Sequence, residues 1–492
     1  MRACVPAFHF RFRSIYMNRG NFWIRITIVA IVATFAAVIG QMERWRASLR
    51  LQPQETPVVV DDKRPRPPKK PRIESEPEVL VRFKPGISID TIRQIASRSN
   101  DRLADEIESV NGLAFIDDLD NADPATVAEE YAAMTDQVLY AEPNFEIRID
   151  PQPNTAVGND LLKREPGTSI PNDPQFENQW SLNNLGQDGG KKRADIDALK
   201  AWGISQGSDK VVVAVLDSGV DYTHKDLVAN MWMRPENIPQ YSDNELGTFD
   251  DLHGFDADAN IADPMDDNGH GTHCAGVIGA EGDNNEGIAG INWHVQIMPL
   301  KFLGRGGFGS TANAIEAINY AIERKNKGVN VRVINASWGS TSRSKALEDT
   351  IRAAGEAGIL FVAAAGNNGT DNDKRPHYPS NYNLPNVISV AALDRSDELA
   401  SFSNFGVKTV HVAAPGKDIV STWLNDDYRG ASGTSMATPH VAGVAALILS
   451  KSPKLSVEKL RERILASVDK LPNLEGRVAS GGRINAAKAL SK

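Results

Sequence analysis

From Val211 onward, runs that are apolar at nearly every position recur along the chain: Val211 to Leu216, Ile297 to Leu303, Val331 to Ala336, Ile359 to Ala365 and Val387 to Ala392. A strand covered on both faces needs apolar side chains at consecutive positions, which is the pattern of a buried parallel strand. Between these runs lie stretches of helical period, among them Thr311 to Asn326 and Lys345 to Ala357. Such alternation predicts an α/β fold over residues 173–492, a doubly wound, mostly parallel sheet with helices on both faces.

A smaller unit precedes it. Val79-Leu80-Val81-Arg82-Phe83 reads as a strand, and Pro85-Gly86 as a turn. Ser88 offers an N-cap to a helix from Ile89 to Ser97, with Ile89, Ile92, Ile95 and Ala96 at helical spacing. Leu113 to Ile116 reads as a strand, Asp123-Pro124 opens a second helix through Met134, and Val138 to Ala141 begins a closing strand. Residues 77–148 thus form a small α+β unit, between a proline-rich linker at 41–76 and a second linker at 149–172.

The first forty residues carry Arg2, Arg11, Arg13, Arg19 and Arg25, then the uncharged stretch Ile26 to Gly40. This is a secretory signal pattern, with Val38-Ile39-Gly40 before Gln41 as its cleavage site. Residues 22–40 can instead tether the chain to a membrane if Arg25 snorkels to the interface. Either reading places the remainder outside the cytoplasm.

Composition narrows the function. Apolar residues make up 41% and charged residues 24%, an ordinary soluble balance, and the net charge is −9. A nucleic-acid partner would want a concentrated basic surface, and the one dense basic run, Lys63 to Arg72, is proline-rich and reads as linker. The only two cysteines are Cys4 and Cys274, so no disulfide framework is expected.

Three segments carry candidate chemistry. Asp217 ends the apolar run Val211 to Leu216, at the carboxyl edge where open α/β sheets place their sites; capping duty would explain it equally well. His270 opens a run of small residues, Gly271-Thr272-His273-Cys274-Ala275-Gly276, that reads as a tightly packed helix. His270 and His273 could also be metal ligands one turn apart, although no His-Glu-x-x-His pattern supplies a base. Ser435 lies before the wholly apolar stretch Val441 to Leu449, and Pro439 is expected in the first turn of that helix. Its hydroxyl could simply cap the helix. Together, a serine, a histidine able to take its proton and a carboxylate able to orient the ring suit nucleophilic catalysis.

The segments Val213-Ala214-Val215-Leu216-Asp217-Ser218-Gly219-Val220, Asn268-Gly269-His270-Gly271-Thr272-His273 and Gly433-Thr434-Ser435-Met436-Ala437-Thr438-Pro439-His440 closely resemble the three signatures of the subtilisin-like serine proteases. The resemblance runs from about residue 172 to the chain end and implies a secreted serine endopeptidase acting on polypeptides as a monomer. By the same resemblance Asp217, His270 and Ser435 form its triad, and Asn367, in Ala363-Ala364-Ala365-Gly366-Asn367-Asn368-Gly369, donates to the oxyanion. Gly307-Phe308-Gly309 and Ser337-Trp338-Gly339 resemble segments that flank bound substrate, and His377 stands where the floor of the main pocket would be. Apolar walls there suggest a large hydrophobic side chain before the scissile bond.

Residues 77–148 resemble the family's inhibitory prosegment, a ferredoxin-like α+β domain that occupies the cleft until cut away. The cut is expected within 149–172, with Lys163-Arg164 one candidate. The family often binds structural calcium and uses no organic cofactor. Asp226, Asn285 and Ile288 match its ligand positions, and the acidic insertion Asp243 to Asp267 is either a further cation site or a solvated surface.

Overall fold

Strand Gly207–Asp217 sends alternate side chains into two different cores. Val213 and Val215 face a cluster built with the helices His270–Gly279 and Thr434–Lys451, while Val212, Ala214 and Leu216 face one built with Thr311–Asn326 and Lys345–Glu356. That division is the physical reason for the uninterrupted apolar run: both faces of the strand lie under helices. The computed structural model describes residues 78–152 and 170–492, which fall within one compact unit, Glu74–Lys492. The signal or anchor segment, the linker 41–76, Cys4 and Lys163-Arg164 lie outside the described residues. Among the described residues no helix is long and apolar enough to cross a membrane.

The central sheet has nine strands, in the order Asp469–Lys470, Gly482–Arg483, Val412–Pro415, Val387–Leu393, Leu360–Ala364, Val331–Ala336, Gly207–Asp217, His294–Lys301 and Phe255–Asp256. Every pairing is parallel except that of the Asp469–Lys470 edge strand. His294–Lys301 lies on one side of Gly207–Asp217 and the next strand of this sheet, Val331–Ala336, on the other. The direction of winding therefore reverses beside Asp217, which opens a crevice at the carboxyl ends of these strands.

The N-terminal unit is an antiparallel sheet of Asp101–Glu106, Leu113–Asp118, Val79–Phe83 and Val138–Pro143, in that order. One face, including Val79, Val81, Ala114 and Ile116, packs under its own helices, Ile89–Arg98 and Pro124–Ala133. The other face, through Leu80, Leu113 and Phe115, joins the core that contains Thr311–Asn326 and Lys345–Glu356. Both of those helices are capped from this unit. Glu142 accepts from Ser344 Oγ and from the N–H groups of Lys345 and Ala346, and Asn144 Oδ1 and the Phe145 carbonyl accept from Ala312 and Thr311.

Several strands lie where the pattern predicts none, and two show why. Asp101–Glu106 is a polar edge strand, paired only with Leu113–Asp118, and Val412–Pro415 is too short to show a period. A third difference concerns Pro439. The helix begins at Thr434, so Pro439 falls in its second turn rather than its first. The missing N–H leaves the Ser435 carbonyl without a helical partner, and Ser337 Oγ donates to that oxygen at 2.8 Å instead.

Candidate active site

Asp217 is wholly buried at the end of its strand, and its Oδ1 accepts from the Ser218 N–H. His270, the first residue of the next helix of this face, directs Nδ1 at the same oxygen across 2.7 Å. Gly271 allows that approach: a Cβ there would lie 2.0 Å from the Gly219 carbonyl oxygen. Asp266, which sequence reading passed over, holds this corner together. Its Oδ1 accepts from Ser218 Oγ and the N–H groups of Asn268 and Gly269, and its Oδ2 accepts from the Thr272 N–H and hydroxyl. A carboxylate four residues before a helix start is the signal that could have found it. Burial opposes protonation of His270, but the charge and hydrogen bond of Asp217, helped by Asp266 and Asp150, hold its pKa above the ordinary imidazole value.

Ser435 lies in the first turn of the Thr434–Lys451 helix. Its Oγ donates to the Ser337 carbonyl at 2.9 Å, and His270 Nε2 accepts no hydrogen bond among the described residues. The structure thus joins Asp217 to His270 and leaves the serine hydroxyl on a neighbouring carbonyl. Asn367 follows the Leu360–Ala364 strand; its Oδ1 accepts from the Thr434 N–H and hydroxyl, which turns Nδ2 outward, 3.3 Å from the Pro151 carbonyl oxygen.

Residues 146–152 run through this crevice. Glu146–Arg148 pairs antiparallel with Phe308–Ser310, placing Arg148 opposite Phe308 and Ile147 opposite Gly309. The Ile149 N–H donates to the Gly307 carbonyl at 2.9 Å, and the Gly339 N–H donates to the Arg148 carbonyl at 3.3 Å. Segments 307–309 and 337–339 therefore flank an extended strand. Trp338 contributes no side chain to that surface: it is fully buried, donates Nε1–H to the Leu216 carbonyl and packs on Phe302. Its bulk extends the core on the opposite side of the strand. The pocket beside His377 holds the Asp150 carboxylate, 3.3 Å from Nε2, where a hydrophobic occupant was expected.

His270 and His273 do not face a common point. His273 Nε2 lies 3.0 and 3.1 Å from the carbonyls of Ile419 and Arg429, on a hairpin, and burial followed by the charge of His270 pushes its pKa down to about 3. It holds the hairpin as a neutral donor.

The candidate cation loop departs from its expected register. Asn284, not Asn285, faces Asp226, donating Nδ2–H to Oδ1 at 2.9 Å, while the Ile288 N–H donates to Oδ2. Asn285 is exposed, because it and Asp283 adopt left-handed backbone on either side of Asn284. Asp173 joins the loop, accepting from the Asp283 N–H, and its Oδ1 is buried without a partner. Burial first, then the charge of Asp173, raises the Asp226 pKa to about 7. Two converging carboxylates and an orphaned oxygen suit a hard cation. The acidic insertion contributes Asp243 and Glu245, which gather with Asp105 of the N-terminal unit.

Comparison with known proteins gives one consistent result. The sequence profile described as "Subtilase family" matches residues 208–481. The chain is 40% identical over 291 residues to the thermophilic serine proteinase of Bacillus sp. (strain AK1), covering 59% of this chain and 64% of that protein. It is 36% identical over 320 residues to thermitase of Thermoactinomyces vulgaris, 65% of this chain and 99% of that protein. With subtilisin-like protease 2 of Plasmodium falciparum (isolate 3D7), 38% identity extends over 260 residues, 52% of this chain and 18% of the relative. The chain thus spans less than two thirds of two of these relatives. A solved protease structure from Pseudoalteromonas arctica aligns with a TM-score of 0.54 at 29% identity, covering 66% of this chain and 99% of that one.

Proposed function

The chain belongs to the subtilase family, and on that premise we propose that it is a serine endopeptidase that hydrolyses peptide bonds in proteins through an acyl-enzyme. The observation that carries this reading is the buried 2.7 Å contact between Asp217 and His270, beside a crevice already holding an extended strand. Ser435 Oγ attacks the carbonyl carbon of the substrate. His270 Nε2 takes the hydroxyl proton and later returns it to the leaving amine, while Asp217 fixes the Nδ1–H tautomer and stabilises the imidazolium. Asn367 Nδ2, aimed by Thr434, and the Ser435 N–H stabilise the oxyanion. Backbone groups of Gly307, Gly309 and Gly339 bind the acyl side of the substrate as an added strand, as they bind residues 147–149 here.

Residues 77–148 act as an intramolecular inhibitor, and the strand that leaves them blocks the cleft until it is cut. The protein is exported, and its first forty residues serve as signal or anchor. Asp173, Asp226 and Asn284 hold a structural calcium ion that supplies no chemistry to the reaction but neutralises two buried carboxylates. Incubation with a serine-phosphonylating reagent is expected to label Ser435 and abolish peptide cleavage. Labelling elsewhere, or cleavage that survives full labelling of Ser435, rules the mechanism out.

A further inference from the structure

The side chain buried in the pocket next to Ser435 is an acid. Asp150 is 6% exposed and His377 4% exposed, and the carboxylate lies 3.3 Å from the imidazole Nε2. The ring is held from both sides by backbone that admits no side chain. A Cβ on Gly339 would lie 2.0 Å from His377 Cε1, and a Cβ on Gly366 would lie 3.0 Å from Cδ2. These two glycines follow the strands Val331–Ala336 and Leu360–Ala364, the same strand ends that lead to Ser337 and Asn367. His377 is fixed further by Asn381 Oδ1, which accepts from its N–H, and by Ser380 Oγ, 3.4 Å from Nδ1. Nε2 is thus the ring atom presented to the occupant.

We infer that His377 is a specificity-determining residue that selects an acidic side chain in the substrate, aspartate above all, at the position Asp150 fills here. This rests on the proposed endopeptidase reading and names the class of substrate for that site. A carboxylate drawn into the pocket gives up its water and regains a charge-assisted hydrogen bond from Nε2–H. A leucine there leaves Nε2 buried without a partner, and sites built around such a bond reject occupants that lack it. The segment of the chain that runs through the cleft uses the same recognition, which is why Asp150 rather than an apolar residue sits in the pocket.

The test uses the processed protein with a phosphonylating reagent as active-site titrant and fluorogenic peptides Ile-Arg-Ile-X, which copy residues 147–150, with X as Asp, Glu, Leu or Phe. The expected result is stoichiometric labelling of Ser435 and a kcat/KM at least about tenfold higher for Asp than for Leu or Phe. In His377→Leu the Asp peptide is expected to lose at least about tenfold and the Leu peptide to change by no more than about threefold. Labelled enzyme that prefers Leu or Phe, or His377→Leu that keeps the Asp preference, overturns the inference while leaving the endopeptidase reading intact. Ser435 that takes no label overturns both.

Discussion

Ser337 and Ser435 exchange two hydrogen bonds: Ser435 Oγ donates to the Ser337 carbonyl at 2.9 Å, and Ser337 Oγ donates to the Ser435 carbonyl at 2.8 Å. The pair ties the first turn of the Thr434–Lys451 helix to the end of the Val331–Ala336 strand. It exists because Pro439, four residues on, offers no N–H to the Ser435 carbonyl. Ser337→Ala removes the short donor from a buried oxygen and leaves Asn335 Nδ2 without its acceptor. We expect a stability loss of about 1–3 kcal/mol, read from denaturant unfolding curves. An unchanged midpoint would show that Cys274 Sγ, 3.6 Å from the same carbonyl, satisfies it unaided.

Asn367 has two jobs at one amide. Oδ1 accepts from Thr434, and Nδ2 reaches the carbonyl of Pro151. Asn367→Ala is expected to lower kcat by about 10²–10³ with KM little changed, the signature of a donor that matters in the transition state. Asn367→Asp keeps the acceptor for Thr434 but removes the donor, so it should fall at least as far. Full turnover by either variant would remove Asn367 from the reaction.

What the sequence revealed depended on how local the cause was. Val331–Ala336 and Thr311–Asn326 occupy the spans that their apolar periods predict, because each strand or helix is buried along its own length. The position of Asp217 at a strand end and of His270 at a helix start was legible for the same reason. Asp101–Glu106 was not, since a polar edge strand is specified by its partner Leu113–Asp118 rather than by its own pattern. The resemblance pointed to Asn285, whereas the amide facing Asp226 is that of Asn284, because left-handed backbone at Asp283 and Asn285 decides which side chain turns inward. The exchange between Ser337 and Ser435 and the seating of Asp150 against His377 join residues far apart in the chain, and no spacing rule reports them.

The loop around Asp226 makes a prediction about metal removal. Burial raises the proton affinity of both Asp173 and Asp226, the charge of Asp173 adds to the shift at Asp226, and Asp173 Oδ1 has no partner. Without a cation the loop therefore loses stability as pH rises through about 7, where the proton on Asp226 is lost. A chelator selective for calcium is expected to lower the melting temperature by several degrees at pH 8, a loss of about 2–3 kcal/mol for a site near a hundredfold saturation. The chelator effect should vanish in Asp173→Asn. Identical melting with and without chelator in the unmodified protein would mean that the loop holds no calcium.

A last prediction concerns how the N-terminal unit is held. Asp105 and Glu108 of that unit face Asp243, Glu245 and Glu316 of the larger domain, with Tyr241 bonded to Glu316, Asn319 to Glu108 and Arg93 to Glu245. Burial, then mutual repulsion, raises the pKa of Glu316 to about 8; burial raises that of Glu108 to about 7, and Asp105 is shifted upward as well. Once the two parts separate, these groups return to the ordinary carboxylate range, about 4. The docked form therefore binds more protons, so docking is strongest below about pH 4 and weakens as pH rises through about 7 to 8. In Ser435→Ala, which lacks the proposed nucleophile, residues 78–152 should become more open to an added protease as pH rises from about 5.5, by roughly tenfold per titrating group per pH unit up to that group's docked pKa, about 7 for Glu108 and about 8 for Glu316, and level off above about pH 8. Glu316→Gln removes one strongly shifted charge and should reduce that dependence. Equal accessibility across this range in Ser435→Ala would show that these carboxylates do not titrate with docking, and that the hold of the N-terminal unit rests on its apolar face and on the caps that Glu142, Asn144 and Phe145 supply.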